Sequence, residues 1–124
     1  MQDRNTPLTL TSVSAIAART STVTTSSIDV RSYSGGLIIE QLVGVVSGTT
    51  PTLAGKIQTS ADGSTGWADI TGATFTSVTA SDSFAKIGIN VRETLGYIRY
   101  VGTIAGTTPS FTMGVALLGQ KERV

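Results

Sequence analysis

Short stretches in which apolar and polar residues alternate recur along the chain, separated by clusters of Gly, Pro, Ser and Asp. Successive side chains of a β-strand point to opposite faces, so this period of two indicates strands with one buried face. The abundant Thr, Val and Ile residues are β-branched and pack well on a pleated sheet. The clearest stretch is 110–118, where Phe111, Met113, Val115 and Leu117 share a face. The pattern predicts an all-β fold with very little helix.

The length of 124 residues is that of one domain. We therefore expect an antiparallel β-sandwich of about eight strands. The predicted strands are 8–18, 22–31, 37–47, 52–60, 67–70, 74–79, 84–92, 97–105 and 110–118. The residues expected in the core are Ile57, Ile87, Ile89, Val91, Ile98, Ile104, Met113, Val115 and Leu117.

An internal repeat relates two distant parts of the chain. Residues 43–53 read VGVVSGTTPTL and residues 101–111 read VGTIAGTTPSF, 58 positions later. Gly allows a positive φ, and Pro is suited to the first position of a returning strand. Each copy is therefore predicted to be a hairpin with a Gly-Thr-Thr-Pro turn, the two being equivalent and related by a pseudo-twofold axis. The alternative is convergence on a good turn sequence.

The strand predicted at 37–47 carries apolar residues on both faces, with Glu40 and Gln41 between them. Two interpretations fit this pattern. A bulge at Glu40-Gln41 would switch the inward phase of the strand. Otherwise both faces of the strand are covered, and in so small a domain the second cover would come from another chain.

Composition excludes several classes of function. The chain has no Cys and no His, which excludes disulfide scaffolds, thiolate or imidazole metal sites and nucleophiles activated by these residues. The eight carboxylates form no catalytic motif, so no enzyme activity is expected. A net charge of +1 provides no strong basic field, which argues against nucleic-acid binding. The uncharged stretch 100–120 is interrupted by a Gly- and Thr-rich segment and does not predict a membrane span.

The segment 57–70 resembles the Asp-box hairpin of sialidases, with Ser60, Asp62 and Trp67 in place and Gly63 and Thr65 each one position early. Such boxes are structural turns, so the resemblance implies no active site. We expect Trp67 to cap the core, the alternative being an exposed ring that stacks on sugars. A Ca²⁺ site formed by Asp62, Ser64 and Asp69 matches no known loop spacing, and no cofactor or metal is expected.

An ordered series of short motifs between Ser27 and Gly119 resembles a group of small phage and prophage structural proteins. The motifs are Ile28-Asp29-Val30, Gly36-Leu37-Ile38-Ile39, Ser60-Ala61-Asp62-Gly63 with Trp67, Gly96-Tyr97-Ile98-Arg99-Tyr100-Val101, Gly106-Thr107 and Leu117-Leu118-Gly119. The resemblance implies a β-sandwich, often jelly-roll-like, that decorates or cements a capsid without catalytic residues. The implied partners are the major capsid protein, bound across its junctions, and other copies of the chain as a dimer or trimer. The implied location is the capsid surface of a virion assembled in the host cytoplasm.

Three segments follow from this interpretation: an extended N-terminal arm (1–20), the sandwich (21–119) and a polar C-terminal tail (120–124). The arm is too sparsely apolar to fold alone, and we expect it to contact neighbouring subunits instead of its own domain. The predicted interface residues are Arg4, Pro7, Leu8, Leu10, Val13, Arg19, Lys121 and Arg123. The alternative function is a carbohydrate-binding module or a receptor-facing phage tail or head accessory protein, using Trp67 with Tyr97 or Tyr100.

Overall fold

The computed structural model describes residues 8–121, and its regular elements are strands apart from one 3-10 turn. The strands are β1 (Leu8–Arg19), β2 (Val23–Thr24), β3 (Ile28–Asp29), β4 (Tyr33–Ser60), β5 (Ala68–Thr74), β6 (Ser83–Asn90) and β7 (Tyr97–Lys121), with the 3-10 turn at Val91–Glu93. The strands pair antiparallel in one seven-stranded sheet. The all-β antiparallel prediction is confirmed. The pairing is that of one continuous sheet, without the two separate sheets of the expected jelly-roll sandwich.

The two longest strands, β4 and β7, pair along almost their whole length and form the centre of the sheet. In the first half of this ladder, residues 33–47 pair with 110–121, and β1 and β6 lie on either side. In the second half, residues 52–60 pair with 97–105, flanked by β5 and by the short strands β2 and β3. The strand order across the first half is therefore β1, β7, β4, β6.

The two halves of the ladder meet in the core. The hydroxyl of Tyr100, in the second half, donates a hydrogen bond to Oε1 of Gln41, in the first half. A Cβ atom placed on Gly55 would lie 2.6 Å from the same hydroxyl and closer still to Gln41. On a straight strand with a rise of about 3.3 Å per residue, Gln41 and Gly55 would be about 45 Å apart. The ladder must therefore bend back on itself between them.

The Gly-Thr-Thr-Pro segments are not hairpin turns, and that prediction is wrong. Both lie inside long strands and face each other in the ladder, with Thr49 paired to Thr107 and register shifts on either side. Thr50 and Thr108 have φ values of 47° and 45°. The positive φ angles bulge both strands at the same level instead of reversing the chain.

The two copies are nonetheless related by a local twofold symmetry about the Thr49–Thr107 pair, as facing bulges and not as the equivalent hairpins that were expected. A Cβ on Gly48 would lie 2.6 Å from the carbonyl oxygen of Thr108, and a Cβ on Gly106 would lie 2.8 Å from that of Thr50. Each strand thus approaches the other where only a glycine leaves room.

The core lies between the halves of the ladder. Of the nine expected core residues, Ile57, Ile89, Ile98, Met113, Val115 and Leu117 are buried. The other three, Ile87, Val91 and Ile104, are half-buried and pack against the core. No bulge occurs at Glu40-Gln41, because inward residues continue to alternate from Leu37 to Val43.

The N-terminal segment pairs with its own chain. β1 runs antiparallel to β7 from the Leu8–Gln120 pair to the Arg19–Phe111 pair. The expectation that the arm leaves its own domain is therefore wrong for residues 8–19. Its sparse apolar residues are sufficient because an open edge of β7 supplies the backbone hydrogen bonds. Between residues 8 and 121, no helix is long and apolar enough to cross a membrane.

Candidate protein-binding face

The first half of the sheet has a second, outward side that also carries large apolar residues. In β4, the residues between the inward positions point away from the core, and Ile38 and Leu42 are 37% and 44% exposed. Phe84 of β6 lies directly opposite Leu42 and is 61% exposed. Apolar residues therefore lie on both faces of strand 37–47, and those on the outward face are exposed.

A bulge in β1 brings another large residue to this side. The pairing of β1 with β7 shifts register between Ser14 and Ala17, and a bulge of this kind re-aims side chains. Ile16 lies in the shifted segment and is 73% exposed. Its Cγ1 atom would lie 2.6 Å from a Cβ placed on Gly114, so Ile16 rests on the surface left open by that glycine.

We name this surface the outer apolar face and define it by Leu10, Ile16, Ile38, Leu42 and Phe84. Two grooves lie in it, on either side of Ile16. One, of about 420 Å³, is lined by Ile16, Leu42, Phe84 and Met113 among others. The other, of about 360 Å³, includes Leu10, Ile16 and Leu42. A contiguous apolar patch across four strands is typical of a protein-interaction site.

Few charged residues lie on the outer apolar face, and one of them, Asp82, lines the groove beside Phe84. Glu40 and Lys86 lie opposite each other in the β4–β6 pairing, between the row of Ile38 and the row of Leu42. Glu40 is half-buried and Lys86 is exposed. These two opposite charges balance each other in the middle of the face.

The structure places the predicted interface residues in different environments. Leu10 belongs to the outer apolar face, but Val13 packs against the core. The guanidinium Nη2 of Arg19 donates to Ser14 Oγ at 3.1 Å and to the Ala15 carbonyl at 3.2 Å, so Arg19 fastens the bulge that presents Ile16. Leu8 and Lys121 pair through their backbones, to Gln120 and Tyr33.

The remaining predicted interface residues, Arg4, Pro7 and Arg123, lie outside the described residues. Sequence reasoning missed Phe84 altogether. The two-sided apolar pattern of 37–47 was the signal that could have led to Leu42 and its neighbours.

The Asp62 turn is structural, as expected of an Asp-box-like segment. The Asp62 carboxylate accepts hydrogen bonds from the backbone N–H groups of Thr65 at 2.8 Å and Ser64 at 2.9 Å, and from the Thr65 hydroxyl at 2.8 Å. These bonds, with one from Ser60, hold the pKa of Asp62 well below its usual range. Asp69 is engaged separately by Lys56 and Gln58. No group of three or more acidic residues in 8–121 is arranged to hold a metal ion.

Trp67 does not cap the core, and that prediction is wrong. The ring is half-buried at the surface, with the Arg99 guanidinium carbon 4.3 Å from its centroid. Arg99 also donates to Gln58 Oε1 at 2.9 Å, and the Gln58 amide donates to Asp69 at 2.8 Å. Of the tyrosines considered for sugar binding, Tyr100 is fully buried and Tyr97 lies beneath the Arg31 guanidinium.

The outer apolar face is therefore the candidate site. A second, more polar candidate is the surface formed by Trp67, Arg99, Gln58 and Asp69, which we name the Trp67 surface. Comparison with protein-family models and with curated proteins found no match to the chain.

Proposed function

We propose that the protein is a non-enzymatic structural component of a phage virion that decorates or cements the capsid by binding across junctions of the major capsid protein. The observation that carries the proposal is the outer apolar face, which is typical of a protein-interaction site. The ordered motif series from Ser27 to Gly119 supports the viral context. The proposed location is the capsid surface of a particle assembled in the host cytoplasm.

The physical reason is the free energy of the exposed face. Burying apolar surface stabilises a complex by about 25 cal/mol per Å² before the costs of association are counted. Five large apolar side chains exposed on one side of a sheet favour aggregation of a free monomer. The same side chains stabilise an assembly that buries them. A protein that binds only the assembled shell stabilises it by mass action, so this function needs no chemistry.

The bend of the ladder supports a finer proposal for the fold. The contact of Tyr100 with Gln41 brings the two halves of one sheet against a common core. We propose that these halves act as the two layers of a β-sandwich of the kind that phage decoration proteins use. A sandwich of this kind has two outer faces, and in this chain the two differ strongly in chemistry, one apolar and the other carrying Trp67, Arg99 and Lys56.

The first experiment asks whether the protein belongs to a particle. Particles purified from the source of the gene are analysed by mass spectrometry and electron cryo-microscopy. We expect the chain in fixed ratio to the major capsid protein, with density over capsomer junctions. Absence of the chain from the particles, or density confined to the tail, would contradict decoration.

The second experiment connects occupancy to the outer apolar face. Purified protein is added to particles that lack it, comparing wild type with Leu42→Lys and with the control Thr103→Lys, an exposed position in the second half of the ladder. We expect Leu42→Lys to reduce occupancy strongly and Thr103→Lys to bind like wild type. Equal binding of all three would show that this face takes no part in assembly.

The Trp67 surface favours one other function, a carbohydrate-binding or receptor-facing accessory role. A half-exposed indole beside Arg99, Gln58 and Asp69 combines an aromatic ring with hydrogen-bonding groups, as sugar recognition requires. Binding to a glycan array that disappears in Trp67→Ala, with particle occupancy unchanged, would favour this role.

A further inference from the structure

We propose that the outer apolar face is the interface between two copies of this chain, related by a twofold axis that runs along the strands between β7 and β4. This inference rests on the proposed function and refines it: the face joins two copies of the chain, and the pair is the species that binds the capsid. A twofold interface uses the same patch on both copies, so the patch must complement itself.

The shape of the face meets that condition. Rotation about the proposed axis reverses the strand order, placing β1 of one copy over β6 of the other and β7 over β4. One row across the four strands consists of Ile16, Gly114, Leu42 and Phe84. In the dimer, this row lies over the same row of the other copy, which runs in the opposite direction. Leu42 of each copy lies over the position of Gly114 in the other copy, where it meets the Ile16 side chain that covers this glycine, and Ile16 faces Phe84. The exposed apolar side chains of this row therefore pack on one another.

The neighbouring row places a large residue over a small one. Leu10, Leu118, Ile38 and Gly88 are aligned across β1, β7, β4 and β6 by the strand register. In the twofold arrangement Leu10 of one copy covers Gly88 of the other, and Leu118 covers Ile38. Gly88 has no atom within 3.9 Å of the position of a Cβ other than the Leu37 carbonyl oxygen, so it leaves room for a side chain from outside.

The charges of the face favour a second copy over a charged partner. Its central row carries Ser12, Ala116, Glu40 and Lys86 in register. Reversal of this row places Glu40 over Ala116 and Lys86 over Ser12, so neither charge lies directly over one of its own sign. A surface with so few charges meets its own copy with little net repulsion, whereas a partner with a strongly charged surface would find no complement here.

The area of the face is sufficient for a specific contact. Four strands about 4.8 Å apart, each contributing about eight residues with a rise of about 3.3 Å, cover roughly 500 Å² per copy. Two copies would bury about 1,000 Å², which is near the lower bound for a specific interface. The dimer is therefore expected to be reversible, with a dissociation constant in the micromolar range.

The test uses the purified full-length chain in the absence of particles. Sedimentation equilibrium from about 1 to about 100 μM should show a concentration-dependent monomer–dimer equilibrium for wild type and for Thr103→Lys. Leu42→Lys and Leu42→Glu each place two like charges beside the axis, and each should weaken dimerisation by about 30-fold or more. An equimolar mixture of the two variants should form a heterodimer, because each positive face then meets a negative one.

The mixing experiment guards against misfolding, since two misfolded variants would not recover association. A wild type that stays monomeric at about 100 μM, variants that dimerise like wild type, or a mixture that stays monomeric would each overturn the proposal. These outcomes are separate from the proposed function. A monomeric wild type that still binds particles through this face would assign the face to the capsid, whereas a dimer that binds no particle would overturn only the viral role.

Discussion

The hydroxyl of Tyr100 donates a hydrogen bond to the side-chain oxygen of Gln41, 59 positions away in the sequence. Both residues are fully buried. Their contact joins the two halves of the β4–β7 ladder at the point where these come together. The amide nitrogen Nε2 of Gln41 has no hydrogen-bond partner among the described residues, so the Tyr100 contact is the one that offsets the burial of this side chain.

The first prediction concerns the space that this contact needs. A Cβ on Gly55 would lie 2.6 Å from the Tyr100 hydroxyl and 2.9 Å from a carbon of its ring. We expect Gly55→Ala to lower the free energy of unfolding by about 1–3 kcal/mol or more, because the core must be overpacked or the hydrogen bond displaced. Gly88→Ala, in a regular part of β6, should change it by less than about 0.5 kcal/mol. Chemical denaturation measures both, and equal effects would contradict the packing described here.

The second prediction concerns alkaline pH. Burial raises the pKa of the Tyr100 hydroxyl above its usual value near 10. A group whose pKa is raised in the folded state contributes stability that is present below the unfolded pKa and is lost above it. Stability should therefore fall as the pH rises above about 10, and Tyr100→Phe should reduce the slope of this loss. The measurement is urea denaturation between pH 9 and 11, with unchanged slopes contradicting the assignment to Tyr100.

The third prediction concerns acid. The hydrogen bonds from Thr65 and Ser64 lower the pKa of Asp62 in the folded state. A lowered pKa contributes stability above the unfolded value near 4, and this contribution is lost as the pH falls below it. Asp62→Asn should be less stable than wild type at neutral pH, and the difference should narrow in acid. A difference that stays constant from pH 6 to pH 3 would show that the charge of Asp62 is immaterial.

The fourth prediction uses the local symmetry of the ladder. Thr50 and Thr108 adopt left-handed φ values of 47° and 45°, which are strained for a β-branched residue. Asn tolerates this region, so Thr50→Asn and Thr108→Asn should each raise the free energy of unfolding by about 0.5–1 kcal/mol. The two gains should agree, because the two sites are equivalent. Thr49→Asn is the control, since Thr49 has no positive φ and should show no gain.

The fifth prediction concerns β1. Val13 packs against the core, and the hydroxyls of Thr11 and Tyr33 lie 3.2 Å apart within hydrogen-bonding distance. Deletion of residues 2–18 should therefore lower the melting temperature markedly, since it removes a paired strand and uncovers the core. Deletion of residues 2–7 removes no residue of β1 and should leave the melting temperature close to that of wild type. A 2–18 deletion variant as stable as wild type would show that β1 contributes nothing to the stability of the fold.

The sequence allowed much of the core to be predicted, because alternation states directly which side chains share a face. Ile57, Ile98 and Met113 are buried as the period of two requires. Tyr100 was considered with Trp67 for sugar binding, yet the same alternation places it inward. In the folded protein, Gln41 supplies the hydrogen-bond partner that its buried hydroxyl needs.

The Gly-Thr-Thr-Pro segments show why the topology could not be obtained in the same way. Gly followed by Pro within four residues favours a reversal of the chain when a segment is considered alone. In the folded protein, Thr49 and Thr107 lie opposite each other, and the two irregular segments accommodate one another as facing bulges. That outcome depends on a partner far away in the sequence, which a local pattern does not contain.

Part of the candidate site could be predicted from the sequence. Apolar residues on both faces of 37–47 indicated a second cover, and Ile38 and Leu42 are the exposed residues concerned. Phe84 gave no such signal, because an aromatic residue near the start of a strand is equally common inside. The β4–β6 register, which sets Phe84 against Leu42, was needed to recognise the face.

The long β4–β7 ladder also determines when the fold can form. Its nearest partners in sequence, Ser60 and Tyr97, are 37 positions apart, and Tyr33 pairs with Lys121 at the opposite end. The ladder itself contains no tight hairpin, so the pairing of β4 with β7 requires a costly loop closure and is expected to be slow. During synthesis, β4 can pair with β5 and β6, but its edge toward β7 stays unpaired until β7 has been made. The nascent chain therefore exposes one long edge of a 28-residue strand, and chaperone protection at this stage would decide how much of it folds.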